Sequence, residues 1–254
     1  MNEERLTYLL EYLLSERSNI GSVQIPNDSQ DKFRLYRSLV NIRPPVKADE
    51  NFIKAEDEYL TSLIEEKGIT DINELSPVED KIYLWQGDIT TLGCDAIVNA
   101  ANSGMTGCWQ PCHSCIDNCI HTFAGVRLRY KCNELMQAQG YEEPTGCAKI
   151  TPAYNLPCKY IIHTVGPIVR GSLTERERDL LRSCYTSCLE LAKESGIKSI
   201  AFCCISTGVF GFPQKEAAEI AVSTVRAFLK ENDMKVIFNV FKDDDLELYR
   251  SILN

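Results

Sequence analysis

The chain has 254 residues, of which 44% are hydrophobic and 25% are charged, and its net charge is −9. This length and apolar content are sufficient for a packed core of one or two domains, and no apolar run of about 18 residues is present to span a membrane. The acidic balance argues against a nucleic-acid-binding protein, which would be expected to carry a basic face.

The first eighty residues are predicted to form helices, because apolar residues recur at intervals of three and four positions. Pro44 and Pro45 end the second helix, since proline lacks a backbone donor and restricts its predecessor. Residues 1–80 hold 17 acidic and 9 basic side chains, and Pro77 lies near their end. We expect a helical extension that either caps the following domain or grips the substrate. The periodic residues are Leu6, Leu9, Leu10, Leu13 and Leu14; Phe33, Tyr36 and Val40; and Tyr59, Leu60, Leu63 and Ile64.

From Lys81 onward the pattern changes to short apolar strands that alternate with helices. Strands separated by helices of this length imply right-handed crossovers and a sheet with helices on both faces. Residues 81–254 are therefore predicted to form a three-layer α/β/α domain. The strands are predicted at 82–85, 96–98, 159–165, 199–204 and 236–241, and the helices at 116–138, 174–195 and 214–231.

Polar residues follow several of these strands, where ligands bind in folds of this kind. Asp88 could accept a hydrogen bond from an amine such as that of adenine, or it could cap a helix or turn. Asn99 and Asn102 could bind hydroxyl groups or stabilise a loop. The stretch from Ser206 to Gly211 could present backbone N–H groups to an anion, or form a tight turn. We expect these groups to converge.

Three cysteines, a histidine and a carboxylate lie within ten consecutive positions, 108 to 117. Closely spaced thiolates and an imidazole are typical zinc ligands, and three protein ligands would leave a position open, as a catalytic site needs. Adjacent residues usually point apart, so His113 can bind a metal only if Cys112 turns away. Cys112 is therefore the main rival ligand. Buried cysteines without metal are the alternative for the whole segment.

Four motifs, in this order, resemble those of the macrodomain family, whose members bind ADP-ribose and many of which are hydrolases. The common hydrolases carry glycines and then Val-Asp-Gly-x-Ile-His after the second asparagine, whereas here Gly107 leads into the cysteine-rich segment. This departure is similar to the zinc-dependent macrodomains of bacteria and fungi. Those proteins share a helical N-terminal extension, and the bacterial ones often accompany a sirtuin-type ADP-ribosyltransferase. The motifs are Gly87-Asp88-Ile89, residues 95–102, residues 160–167 and residues 206–211.

The resemblance implies roles for individual residues. Zn²⁺ ligands are implied at Cys108, His113 and Cys115. Asp117 matches the family's catalytic aspartate, with helix capping as its competing role, and Asn102 would hold the distal ribose for catalysis. His121 and His163 are expected to be structural. Contacts with ADP-ribose are expected from Asp88, Ile89, Asn99, Asn102, Ser206, Thr207, Gly208, Val209, Phe210 and Phe241.

The expected function is zinc-dependent hydrolysis that removes mono-ADP-ribose from modified protein side chains. Zinc could activate water or polarise a ribose oxygen. A carboxylate-linked substrate is favoured over an arginine-linked one, because carboxylate is the better leaving group. The alternative is a reader of ADP-ribosylated proteins with a structural zinc, which a closed four-ligand site including Cys112 would favour.

The expected partners are ADP-ribose, a mono-ADP-ribosylated protein and a functionally linked ADP-ribosyltransferase. The sequence starts without the basic segment and apolar core of a secretory signal, so a cytoplasmic location is expected. The twelve cysteines are then expected to be reduced, and several to be buried, rather than to form a disulfide framework.

Overall fold

The computed structural model describes residues 2–17 and 23–253. Within these residues, no helix is both long enough and apolar enough to cross a membrane. The helices are α1 (Asn2–Ser15), α2 (Ser29–Asn41), α3 (Glu50–Lys67), α4 (Ile116–Ala124), α5 (Val126–Gln139), α6 (Glu175–Glu194), α7 (Gln214–Leu229) and α8 (Asp243–Leu253). The strands are β1 (Thr70–Asp71), β2 (Ile82–Gln86), β3 (Leu92–Gly93), β4 (Ala96–Ala101), β5 (Ala148–Pro152), β6 (Tyr160–Val165), β7 (Ser199–Phe202) and β8 (Lys235–Val240).

The three predicted N-terminal helices are present as α1, α2 and α3, and they pack around an apolar core to which α5 adds Val126. Aspartates begin two of them: Asp28 accepts hydrogen bonds from the backbone at the start of α2, and Asp49 does so at the start of α3. Such caps satisfy backbone donors that have no partner within the helix. The core of this extension includes Leu6, Leu9, Leu10, Leu13, Tyr36, Leu39, Phe52 and Leu60.

Six strands form a mixed sheet in the order β2-β8-β7-β4-β6-β5, and β1 and β3 form a separate two-residue pair. All neighbours in the large sheet are parallel except β5, which runs antiparallel to β6 at one edge. The central strands carry fully buried apolar residues such as Ile97 and Ile161. This is the predicted α/β fold, a mixed sheet flanked by helices. The carboxyl ends of the five parallel strands lie side by side. We call this row of strand ends, and not the outer strand β5, the sheet edge.

Apart from the short β1–β3 pair, which was not predicted, the structure differs from the sequence prediction in three larger elements. The helix predicted over 116–138 is divided into α4 and α5 at Gly125, whose φ of 89° and ψ of 172° are not helical. The edge strand β5 was missed, because only one of its five residues is fully buried and the apolar alternation is weak. Helix α8 was also missed, since its first turn consists of three aspartates that resemble a polar loop.

Glu56 joins the extension to the sheet domain. Its carboxylate is fully buried and accepts hydrogen bonds from the Tyr36 hydroxyl at 2.6 Å and from the Val126 backbone N–H at 2.9 Å. Val126 is the first residue of α5, so a side chain of α3 caps a helix of the sheet domain. Burial raises the pKa of Glu56 to about 7, while the two hydrogen bonds act in the opposite direction.

Candidate active site

The polar and aromatic groups predicted to bind ligand follow four adjacent strands. Asp88 follows β2, Phe241 follows β8, the 206–211 loop follows β7, and Asn102 follows β4. Neighbouring strands are about 4.8 Å apart, so the row from Asp88 to Asn102 extends about 14 Å along the sheet edge. The predicted site residues therefore do not meet at one point. They form a row along the ends of the strands, in the order of the strands in the sheet.

Asp88 has two sets of partners. One oxygen accepts hydrogen bonds from the backbone N–H of Thr90 at 3.0 Å and its hydroxyl at 2.6 Å, and the other lies 2.9 Å from Lys67 Nζ. Burial acts to raise the pKa of Asp88, but the hydrogen bonds from Thr90 and Lys67 outweigh it and hold the pKa below its ordinary value. The ionised Asp88 side chain caps the turn that follows it. It is also 37% exposed, so its carboxylate is accessible to a ligand. Ile89, which was expected to touch the ligand, is 2% exposed as a whole residue, so it offers almost no surface for a ligand contact.

The 206–211 loop combines a tight turn with free backbone donors. Phe212 N–H donates to Ser206 O at 3.0 Å, and Gly211 N–H donates to Gly208 O at 3.0 Å. Among the described residues, none accepts a backbone hydrogen bond from the N–H groups of Gly208, Val209 and Phe210. The loop lies just before α7, a position in which backbone donors commonly bind anions.

Two large apolar side chains border this row. Val209 is 80% exposed, and Phe241 is 75% exposed. Phe241 lies next to the Asp88 segment, because Gly87 N–H donates to Val240 O at 3.0 Å and Asn239 Nδ2 donates to Gly87 O at 3.0 Å. An exposed aromatic ring beside a carboxylate suits a planar heterocycle with an exocyclic amine.

Asn99, Asn102 and Asp117 form one hydrogen-bonded group. Asn99 Nδ2 donates to Asp117 Oδ1 at 2.8 Å, and Asn102 Nδ2 donates to Asp117 Oδ2 at 3.1 Å. Burial raises the pKa of Asp117 to about 6, against the lowering effect of Asn99, Arg129 and Asn102. Asp117 does not cap α4, since Cys115 occupies that position.

Asn99 is placed differently from the prediction. It was expected to touch the ligand, but it is fully buried and also lies 3.1 Å from His163 Nδ1. In the structure Asn99 contacts Asp117 and His163 inside the core. Asn102 is only half-buried and holds the Gly107 carbonyl at 3.0 Å, so it links Asp117 to the start of the cysteine-rich segment.

His121 and His163 lie in the core, where we expected structural histidines. Burial lowers the pKa of His163 to about 3, so this imidazole is neutral, and its Nε2 lies 2.9 Å from the Thr151 hydroxyl. Burial likewise lowers the pKa of His121 well below its ordinary value. Both rings border the buried side of the group formed by Asn99 and Asp117: His121 Nε2 lies 3.6 Å from Asp117 Oδ1, and His163 Nδ1 lies 3.1 Å from Asn99 Nδ2.

The side chains of Cys108, His113 and Cys115 come together as a candidate metal site. Their ligand atoms all lie within 4.8 Å of one another, and Cys108 Sγ is 3.7 Å from His113 Nδ1. A sulfur and a nitrogen at tetrahedral positions on zinc would be about 3.6 Å apart, given bonds of about 2.3 and 2.1 Å. Burial raises the pKa of Cys115 to about 12, and the nearby Cys108 adds to this effect. Without a cation the Cys115 thiol therefore stays protonated, and a bound cation would favour its ionised form. Two cysteine sulfurs and an imidazole nitrogen at these distances fit the donor set of zinc.

Cys112 does not take part in this cluster. Its φ of 54° turns the side chain away, and its Sγ donates to the Arg34 carbonyl of α2 at 3.4 Å. The condition for His113 to act as a ligand, that Cys112 points elsewhere, is met by this turn. Within the described residues, the cluster at this segment therefore has three members.

Sequence reasoning missed two cationic residues near the row. Lys67 pairs with Asp88, and Arg129 is buried with its guanidinium 4.3 Å from the centre of the Trp109 ring. The motifs contain neither residue, and each meets its partner only through the tertiary fold. Trp109 is half-exposed, and its contact with Arg129 is a packing contact.

Comparison with known proteins agrees with this geometry. Residues 98–221 match the family model described as Macro domain. A protein of Treponema medium named protein-ADP-ribose hydrolase is 58% identical, over 99% of this chain and 99% of that protein. A protein of Fusarium oxysporum f. sp. cubense, named probable bifunctional ADP-ribose hydrolase/ADP-ribosyltransferase, is 45% identical over 89% of this chain and 42% of that protein. The Trypanosoma brucei macrodomain, solved in complex with ADP-ribose, has a TM-score of 0.64 and 32% identity, with 86% of this chain and 95% of that chain covered. The chain belongs to the macrodomain family.

Proposed function

We propose that this protein is a hydrolase that removes mono-ADP-ribose from modified protein side chains, and that zinc held by Cys108, His113 and Cys115 takes part. The observation that carries the proposal is the place of the three-ligand cluster. Cys115 caps the helix that carries Asp117, at the end of the row where Asn102 lies. The name of the Treponema medium relative, 58% identical over nearly its whole length, supports the activity.

The row of groups has the same order as the parts of ADP-ribose. Asp88 and Phe241 would bind adenine by a hydrogen bond and by stacking, and the free N–H groups of the 206–211 loop would bind the diphosphate. The distal ribose would then reach Asn102. This arrangement supports binding of one extended ligand, with its reacting end at the cysteine-rich segment.

The roles of the chain's own residues follow from this placement. Cys108, His113 and Cys115 would hold the metal and leave a coordination position open, as catalytic zinc sites do. The zinc would supply a Lewis acid that polarises an oxygen of the substrate or of water. Asn102 would orient the distal ribose, and Asp117 would fix Asn102 through its hydrogen bond. Because both Asp117 oxygens accept hydrogen bonds and the group is buried, Asp117 is better suited to positioning than to removing a proton.

We further propose that the attacked bond joins ADP-ribose to a carboxylate, since carboxylate leaves more readily than a guanidinium nitrogen. A functionally linked ADP-ribosyltransferase would supply such a substrate. The Fusarium oxysporum relative supports this link, because its name combines both activities in one protein.

Asp88→Ala should weaken ADP-ribose binding by about 1–3 kcal/mol, because a buried hydrogen-bond donor of the ligand would lose its partner. Calorimetric titration would measure the affinity, and the rise in melting temperature with ligand gives an independent estimate. Asp233→Ala is the matched control. Asp233 also pairs with a lysine, but it is 91% exposed and lies at the amino ends of the strands, away from the proposed site. Equal affinities for the two variants would remove Asp88 from the site.

The substrate is tested with two proteins, one mono-ADP-ribosylated on carboxylates and one on arginine. We expect release of free ADP-ribose from the first and slow or no release from the second. Release from the arginine-linked protein alone would contradict the proposed carboxylate linkage, but it would still support the proposed hydrolase activity. Binding to both proteins without release from either would favour the reader.

A further inference from the structure

The cysteine-rich segment is held from outside by helix α2 of the N-terminal extension. Asn41, at the end of α2, accepts a hydrogen bond from the Cys112 N–H at 2.9 Å. Arg37, one turn earlier, donates from Nη2 to the His113 carbonyl at 2.7 Å. These contacts join residues that are 71 and 76 positions apart in the chain. These hydrogen bonds hold the backbone of Cys112 and His113. The conformation of these two residues decides whether the His113 side chain faces Cys108.

The backbone at Cys112 needs such support. Its φ of 54° lies in the left-handed region, which costs free energy for any residue with a side chain. Asn41 is almost fully buried, and its amide nitrogen is fixed by the Thr122 hydroxyl at 3.0 Å, so its oxygen is aimed at the Cys112 N–H. The turn at Cys112 is thus stabilised by a rigid acceptor.

Arg37 supports the other side of the segment. Its guanidinium donates to Asn118 Oδ1 from Nε at 3.2 Å and from Nη2 at 2.9 Å. Asn118 in turn donates from Nδ2 to the Gln110 carbonyl at 3.0 Å, and its backbone N–H lies 3.5 Å from Cys115 Sγ. Through Asn118, Arg37 is therefore connected to Gln110 before His113 and to Cys115 after it.

We infer that helix α2 of the extension supports the metal site. Its residues Asn41 and Arg37 are positioning residues that orient the His113 ligand. This inference rests on the proposed binding of zinc by Cys108, His113 and Cys115. Groups that orient metal ligands from outside the coordination shell commonly change metal affinity by about 10–100-fold when they are removed. The extension thereby has a role beyond covering the sheet domain.

The test measures zinc affinity of the full chain by competition with a chromogenic chelator, together with the absorption spectrum of the cobalt-substituted protein. We expect Asn41→Ala and Arg37→Met each to weaken zinc binding by about 10–100-fold and to alter the cobalt spectrum. ADP-ribose affinity should stay near the wild-type value, because in the described part of the chain no hydrogen bond or ion pair joins Asp88, Phe241 or the 206–211 loop to α2.

Two control variants separate positioning from loss of stability. Arg5→Met removes a half-buried arginine that pairs with Glu58 within the extension, and Leu9→Ala opens a cavity in the core of the extension. Both should bind zinc as the wild type does, although Leu9→Ala should melt at a lower temperature. If Asn41→Ala and Arg37→Met keep wild-type zinc affinity and cobalt spectra, the inference is wrong while the proposed function stands. If the wild type itself binds no zinc, both the metal proposal and this inference fail.

Discussion

Cys108→Ala and Cys115→Ala are expected to lose bound zinc and to have no detectable hydrolytic turnover. The wild type should contain about one zinc per chain, because two thiolates and an imidazole bind zinc far more tightly than magnesium or calcium. Removal of either thiolate leaves two ligands at a half-buried site. Metal analysis of each purified variant, followed by a hydrolysis assay, measures both effects.

The matched control for these variants is Cys112→Ala. It removes a thiol from the same segment, but that thiol faces the Arg34 carbonyl rather than the cluster. This variant should retain zinc and turnover. Zinc-free Cys108→Ala with full activity would make the metal structural, and zinc-free wild type with full activity would overturn the mechanism.

Gly125→Ala should lower the free energy of unfolding strongly, by about 2–6 kcal/mol, from backbone strain and overpacking together. Gly125 has φ 89° and ψ 172°, a region that is essentially restricted to glycine. A Cβ atom there would lie 2.7 Å from Glu56 Oε2 and 3.0 Å from Asn155 Nδ2. Glu56 cannot withdraw without breaking its hydrogen bonds to Tyr36 and Val126.

Gly140→Ala is the control for the effect of backbone conformation. Gly140 also has a positive φ, of 81°, but nothing lies within 4 Å of an added Cβ. Its substitution should cost about 1–2 kcal/mol, the ordinary penalty of the left-handed conformation. Urea unfolding of both variants gives the comparison. Equal losses would mean that neither the unusual backbone conformation of Gly125 nor its contact with Glu56 adds to the ordinary penalty of a positive φ.

The sequence predicted those features of the fold that depend on local pattern. The apolar runs over β2, β4, β6, β7 and β8 identify buried parallel strands. Because parallel strands end at one edge, the positions of Asp88, Asn102 and the 206–211 loop could be predicted without coordinates. The break at Gly125 could not, since the surrounding pattern is helical and the cause is Glu56, a residue of α3.

The geometry of the candidate metal site was only partly predictable. The spacing of Cys108, His113 and Cys115 indicates zinc, but it leaves Cys112 as the main rival ligand. The choice depends on the positive φ of Cys112 and on Asn41, which lies 71 residues earlier. Likewise the burial of Asn99 follows from its place inside β4, next to His163 on β6. Such contacts between distant segments have no counterpart in the spacing of a motif.

We propose that the metal site, rather than Asp117, carries the chemistry. The most direct test is single-turnover hydrolysis of a carboxylate-linked mono-ADP-ribosylated protein by the wild type, Asp117→Ala and Cys115→Ala, with zinc content measured in each sample. We predict that zinc-loaded Asp117→Ala stays within about tenfold of the wild-type rate while zinc-free Cys115→Ala shows no turnover. A loss of about 10²–10⁴-fold in zinc-loaded Asp117→Ala, with ADP-ribose affinity preserved, would identify Asp117 as a general base and contradict the claim.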